Sequence, residues 1–223
     1  MMLHGDPTWP IPNGDDMMDF SVRLYEETDK LREESEAKLN SYLESAEKIV
    51  RRKGLLDGIC LCADYCFNTN PFYSRDIFAD LIVSVLSKAI DGYHDLGLYT
   101  IKHTDGNIMP ILDMIVDCKP DAIHSLDPQG GVSLTEVMKQ YGDRVCCIGN
   151  VNCGLLQTGT DEQAEADVRR SLREGMAFGK GYIFATSNCV YTGMPLERYE
   201  KMNQIWQEEG NYDKICKKSL IAE

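Results

Sequence analysis

A chain of 223 residues, 43% of them hydrophobic, has enough apolar side chain for one α/β domain or part of a larger one. Its net charge of −13 argues against nucleic acid or an anionic membrane surface as the main partner, and no apolar run approaches the length of a membrane span. Nine cysteines, several clustered on expected strands (Cys60, Cys62, Cys66; Cys146, Cys147), and a start with neither a basic region nor an apolar core point to a cytoplasmic protein with reduced thiols.

Residues 1–16, rich in Pro, Gly and Asp, read as a loop or frayed terminus. From Asp19 to Lys53 an imperfect apolar stripe through Leu24, Leu31, Leu39, Leu43, Ala46 and Val50 predicts one long helix, or two with a break. Its face dense in Glu, Lys and Arg is a solvated one. Leu55–Asp64 is the first strand candidate, a short apolar run of the kind buried on both faces of a parallel sheet. A helix follows from about Ser74 to Tyr93, and Gly97 stops it. Leu98–His103 is the next strand, breaking at the turn signal Asp105-Gly106.

The same unit recurs. A helix over 110–118 leads to a strand at 121–125, a helix over about 131–141 to a strand at 144–149, and a helix capped by Thr160 to a strand at 181–186. Pro195 opens a closing helix that Gly210 ends. About five strands, each followed by a helix, imply right-handed parallel βαβ units. The repeat length suits a (β/α)8 barrel of about 250 residues, of which this chain would hold the later part. The expected division is a loop and helix over 1–54, a partial barrel over 55–212 and a tail over 213–223.

Every expected strand ends in polar or ligating residues: Asp64, His103 with Asp105, Asp127, Asn150 with Asn152, and Asn188 with Cys189. In a parallel barrel these tips converge on one face, where helix N-termini also point. Five polar tips in a row are more than incidental loop polarity produces. His124 lies within a strand and reads as a core histidine.

The blocks His103-Thr104-Asp105-Gly106, His124 through Gly131, Tyr141-Gly142-Asp143-Arg144-Val145, Gly149-Asn150-Val151, Gly181-Tyr182-Ile183, Thr186-Ser187-Asn188-Cys189 and Met194-Pro195 occur in an order and spacing that resembles the uroporphyrinogen decarboxylase superfamily, from about Leu55 to Tyr212. The resemblance implies a TIM barrel and one of two chemistries. One branch is the decarboxylase of porphyrin biosynthesis. The other comprises zinc-dependent methyltransferases that work with corrinoid proteins or thiols.

In the methyltransferase branch zinc is held by a His-x-Cys pair and a distant Cys. Carried onto this chain, the resemblance implies His103, Asp105 in the place of the near Cys, and Cys189 as metal ligands, with methyl transfer involving a corrinoid on a partner protein or a thiol, the donor and acceptor left open. It implies His103 and Asp127 as catalytic groups, and Asp64, Asn150, Asn152 and Asn188 as contacts to a small-molecule substrate. The chain departs from the decarboxylase pattern at Cys189, where that enzyme has His, and at Asn152, where the family has Asp after Gly-Asn-Val. Family members are also longer, and their early strands supply the decarboxylase with an Arg and an Asp. Three expectations follow: a methyltransferase-like enzyme; a decarboxylase needing no cofactor; or a non-catalytic half of a split barrel that pairs with its other half. The sheet should be open and curved, with edges that favour self-association or a partner.

Overall fold

The computed structural model describes residues 1–52 and 54–212; Cys216 and the tail expected over 213–223 lie outside the described residues. The chain divides into two compact units between Ala122 and Ile123. Strands and helices alternate through both, the α/β arrangement of part of a (β/α)8 barrel.

In the first unit three strands follow chain order: β1 (Met2–His4), β2 (Gly58–Cys62) and β3 (Tyr99–Thr104). Both pairings are parallel, with His4 opposite Cys60 and Cys62 opposite His103. The strand β1 replaces the loop expected at the start of the chain. It is only three residues long, too short for an alternating pattern to register, and it forms because β2 offers a ladder and Leu3 packs on the core behind it. Beyond it, Gly5, Asp6, Pro7 and Thr8 are all buried.

The charged stretch forms two helices, α1 (Met17–Glu26) and α2 (Thr28–Val50), broken at Glu27, whose backbone leaves the helical region at φ −128°, ψ 30°. On α2 the buried positions Leu31, Ser35, Leu39 and Ala46 form one stripe. The crossover from β2 to β3 is a continuous helical segment, α3 (Arg75–Ile77), a π-helical turn (Phe78–Val83) and α4 (Ser84–Asp95). It starts where the Ser74 hydroxyl accepts from the Ile77 N–H. Leu39 and Ala46 of α2 share a core with Ile59, Leu61, Val85, Leu86, Ala89, Ile90 and Tyr93. The two helices approach closely at Gly92, where an added Cβ would lie 2.8 Å from Leu43. Trp9 lies against this helical layer, its indole N–H donating to the Leu31 carbonyl at 3.1 Å, with the Lys38 ammonium 3.4 Å from the ring centre. The unit closes with α5 (Leu112–Asp117).

In the second unit the order is again sequential: β4 (Ala122–Ser125, which straddles the division), β5 (Cys146–Val151) and β6 (Tyr182–Thr186). Strands β5 and β6 are parallel, with Asn150 opposite Ala185. The intervening helices are α6 (Leu134–Tyr141), the short α7 (Cys153–Thr158) and α8 (Asp161–Met176), followed by α9 (Leu196–Glu209). Helix α8 begins in a full capping box between Thr160 and Gln163. Its buried residues Ala164, Val168, Leu172 and Met176 recur every fourth position and pack with Met202 and Ile205 of α9. The five strands expected from sequence all form, each within three residues of its expected bounds.

Candidate metal centre

Strand β3 has two unlike faces. Thr100, Lys102 and Thr104 are fully buried, while Tyr99, Ile101 and His103 project to the other side. The register with β2 sets Cys62 beside His103, and Asp64 follows two residues past the end of β2. After His103 the chain turns at Asp105-Gly106. Gly106 has φ +80°, and a Cβ there would lie 2.6 Å from the Cys66 carbonyl oxygen and 2.7 Å from that of Phe67. Only glycine lets this turn close on the loop after β2. There the Asn107 N–H donates to the Phe67 carbonyl at 2.9 Å. The Asp105 N–H in turn donates to Asp64 Oδ1 at 2.8 Å.

These ties draw three side chains together from positions far apart in sequence. One ligand atom each of Asp64, His103 and Asp105 lies within 4.8 Å of the others. His103 Nε2 is 3.9 Å from Asp64 Oδ1 and 3.8 Å from Asp105 Oδ1. The His103 side chain is 13% exposed and those of Asp64 and Asp105 are 47% and 24% exposed, so the cluster is supported from below and open above. Burial of the imidazole is the largest influence on its titration and depresses its pKa below the ordinary 6.5; the Asp64 carboxylate works against this and the Lys102 ammonium with it. A ring held neutral keeps a lone pair to donate. One imidazole nitrogen and two carboxylate oxygens around a small open space form a donor set that zinc and other first-row divalent ions accept. The residues therefore fit a divalent metal. The neighbouring Cys62 is exposed, and its thiol pKa is raised, first by burial and then by Cys60 and Asp64.

Beneath the cluster lies a buried network absent from the sequence-based candidates. Lys102 Nζ donates to Asp6 Oδ2 at 2.8 Å, with both side chains at most 1% exposed. It also donates to the Ala63 carbonyl at 3.0 Å and stands 4.2 Å from the centre of the Tyr65 ring. Asp6 accepts from the Thr8 N–H at 2.9 Å and the Thr8 hydroxyl at 2.6 Å, and that hydroxyl meets the Tyr65 hydroxyl at 2.6 Å. Burial pushes the Asp6 carboxyl up, but the charge and hydrogen bond of Lys102 and the bonds from Thr8 together hold it below its ordinary value. The available signal was a lysine next in sequence to the candidate histidine, on the opposite side of a strand.

The remaining expected site residues belong to the second unit. The Asp127 side chain accepts from the Gln129 N–H at 2.9 Å and starts a 3-10 turn over Pro128–Gly130. Asn152 caps α7, accepting from the Gly154 and Leu155 N–H groups at 2.8 and 3.2 Å. Asn150 is fully buried. Its amide donates to the Leu126 carbonyl at 3.0 Å, and its oxygen accepts from Arg170 at 3.2 Å and the Ser171 hydroxyl at 3.3 Å. The Asn188 side chain accepts from the Cys189 N–H at 2.6 Å, and Cys189 itself is exposed. His124 Nε2 lies 3.1 Å from the Thr186 carbonyl.

With the geometry in view, comparisons place the chain among known proteins. The family model for uroporphyrinogen decarboxylase (URO-D) matches residues 57–208. A solved structure, a methyltransferase from Methanosarcina mazei, superposes with a TM-score of 0.70 at 20% identity, covering 90% of this chain and 57% of that one. At that identity the likeness establishes the fold. No curated protein matches the chain. Among the described residues no helix is long and apolar enough to cross a membrane.

Proposed function

The chain belongs to the uroporphyrinogen decarboxylase (URO-D) family, and from that membership we propose that it is a methyltransferase-like member whose centre holds a divalent metal, zinc first among candidates, on His103, Asp105 and Asp64. The observation that carries this reading is the convergence of one imidazole and two carboxylates at the ends of β2 and β3. When bound, zinc with an open position lowers the pKa of a coordinated thiol and makes it a nucleophile for methyl transfer.

The chain's own residues have separable tasks in this reading. His103 contributes a neutral ring nitrogen, kept unprotonated by burial. Asp64, fixed by the Asp105 N–H, contributes carboxylate charge on the solvent side. Asp105 contributes the second carboxylate from a turn that Gly106 makes possible. Cys189 as a further ligand rests on the family pattern, as do a thiol-bearing small molecule as acceptor and a corrinoid protein as donor. Asp127, Asn150, Asn152 and Asn188 remain candidates for catalysis or substrate contact on the same footing. A cytoplasmic location suits a protein whose described cysteines are all free thiols.

Elemental analysis of the purified protein tests the reading. About one zinc per chain is expected, bound more than about 100-fold less tightly after His103→Ala, beyond the loss typical of an outer-sphere partner. Metal-free protein that takes up no zinc, together with turnover of a porphyrinogen, would replace this reading with the decarboxylase one.

A further inference from the structure

The ammonium of Lys102 and the carboxylate of Asp6 form an ion pair inaccessible to water, next in sequence to the candidate histidine. A buried pair carries a heavy desolvation cost, which apolar residues of similar size would avoid. Its other contacts indicate what it does. Lys102 donates to the carbonyl of Ala63, the residue before Asp64, and more weakly to that of Leu61 at 3.4 Å. Leu61 lies inside β2 and Ala63 just past its end, so the lysine's two bonds straddle the exit of that strand. Asp6 and Thr8 extend the hold to Tyr65, the residue after Asp64, and the Tyr65 N–H donates to Thr104 Oγ1 at 3.2 Å. The segment ends where the Ile11 N–H donates to the carbonyl of Asp64 itself at 2.8 Å. Thus both sequence neighbours of Asp64, and its own main chain, are tied to a network anchored at Lys102.

We propose that Lys102 and Asp6 are positioning residues for the Asp64–His103–Asp105 centre: their buried ion pair locks the exits of β2 and β3 together so that three donors face one space. Neither group reaches the reacting atoms. The inference rests on the reading of those three residues as the functional centre. It also gives the N-terminal segment, Gly5 to Ile11, a part in the site, because Asp6 arrives only through β1.

The test uses the full chain and the double variant Asp6→Asn/Lys102→Met, which removes both charges at once and leaves no lone buried ion. In metal-free protein, NMR would follow hydrogen exchange at the Asp105 amide and the ring proton shift of His103. The Asp105 amide should exchange at least about tenfold faster in the variant, with the His103 ring signal displaced, while amides of α8 such as Val168 and Leu172 stay as in the parent. Cobalt(II) affinity, measured in parallel, should fall by about 10–100-fold, the usual effect of altering groups that orient ligands. A folded variant with parental Asp105 exchange and an unmoved His103 ring would overturn the proposal, even if its melting temperature had dropped. If the parent binds no cobalt, the metal reading falls, and the metal-free NMR comparison still decides whether the pair positions the three side chains. Should the double variant not fold, Lys102→Arg, which keeps the charge but shifts the donors, is judged by the same exchange and ring-shift criteria.

Discussion

The two units use polar residues at strand ends in opposite ways. In the first, Asp64, His103 and Asp105 point into a shared, partly open space, and the network that holds them lies underneath. In the second, Asn150 is spent inside the protein on Leu126, Arg170 and Ser171, and Asn152 and Asp127 each satisfy the first N–H groups of a helical turn. The sequence signal is the same in both, an acidic or amide residue where a strand stops. The difference is what lies within reach. A helical turn starting at the next residue captures a short Asp or Asn side chain as a cap. Where the chain instead turns at a glycine and meets a neighbouring loop, as at Gly106, the side chains are left to face one another.

Single substitutions can break this contrast. The largest effect is expected for Lys102→Met alone, which strands the Asp6 carboxylate in the core and should cost about 3–5 kcal/mol of stability. Urea unfolding would measure it, and a loss below about 1 kcal/mol would mean the pair is not the anchor its burial implies. Next comes Asn150→Ala. It leaves the Leu126 carbonyl and part of the Arg170 guanidinium unmatched, for about 2 kcal/mol, without changing metal affinity. A loss of metal binding in that variant, with stability retained, would show that the second unit's amides serve the site after all.

Asn152→Ala should cost about 1 kcal/mol, the value of one N-cap, because it takes the side-chain acceptor from the Leu155 N–H while Gln129 still accepts from the Gly154 N–H at 3.1 Å. The smallest effect concerns Asp121, at the other end of β3. Burial raises its pKa, but bonds from the Thr100 N–H, His94 and the Thr100 hydroxyl outweigh this and hold it below the ordinary 3.8. A carboxyl depressed in the folded state contributes stability above its unfolded pKa and loses it as pH falls through the folded value. The acid limb of the stability profile below about pH 4 should therefore flatten slightly in Asp121→Asn. An unchanged limb would show that these hydrogen bonds carry no linkage.

How far the sequence reached is also a matter of neighbours. Strands β2 to β6 were legible because runs such as Ile59-Cys60-Leu61 and Cys147-Ile148 are apolar and end at turn residues. The sixth strand, β1, was not, since three residues carry no period and its stability comes from an edge that β2 supplies. His103 and Asp105 were legible as a pair at a strand exit. Asp64 was read as a substrate contact, and its place beside them depends on the parallel register of β2 and β3, which no single stretch encodes. Lys102 was invisible for a different reason. On β3 the polar residues Thr100, Lys102 and Thr104 take the buried face while Tyr99 is 67% exposed, so the pattern of polarity along the strand is inverted by tertiary contacts.

The indole of Trp9 has one more consequence. The chain has two tryptophans, and each unit holds one: Trp9 in the first, Trp206 in the second. Trp9 is half-buried under the Lys38 ammonium, with the Arg23 guanidinium 5.9 Å from its ring centre, whereas Trp206 is 44% exposed. Nearby cations and differing solvent access give the two rings distinct emission and distinct sensitivity to charged quenchers. Iodide and cesium quenching, read against Trp9→Phe and Trp206→Phe, would therefore report the melting of each unit separately from intrinsic light alone. Because Trp9 belongs to the same short segment as Asp6, its colour also becomes a direct optical gauge of whether the N-terminal segment is seated.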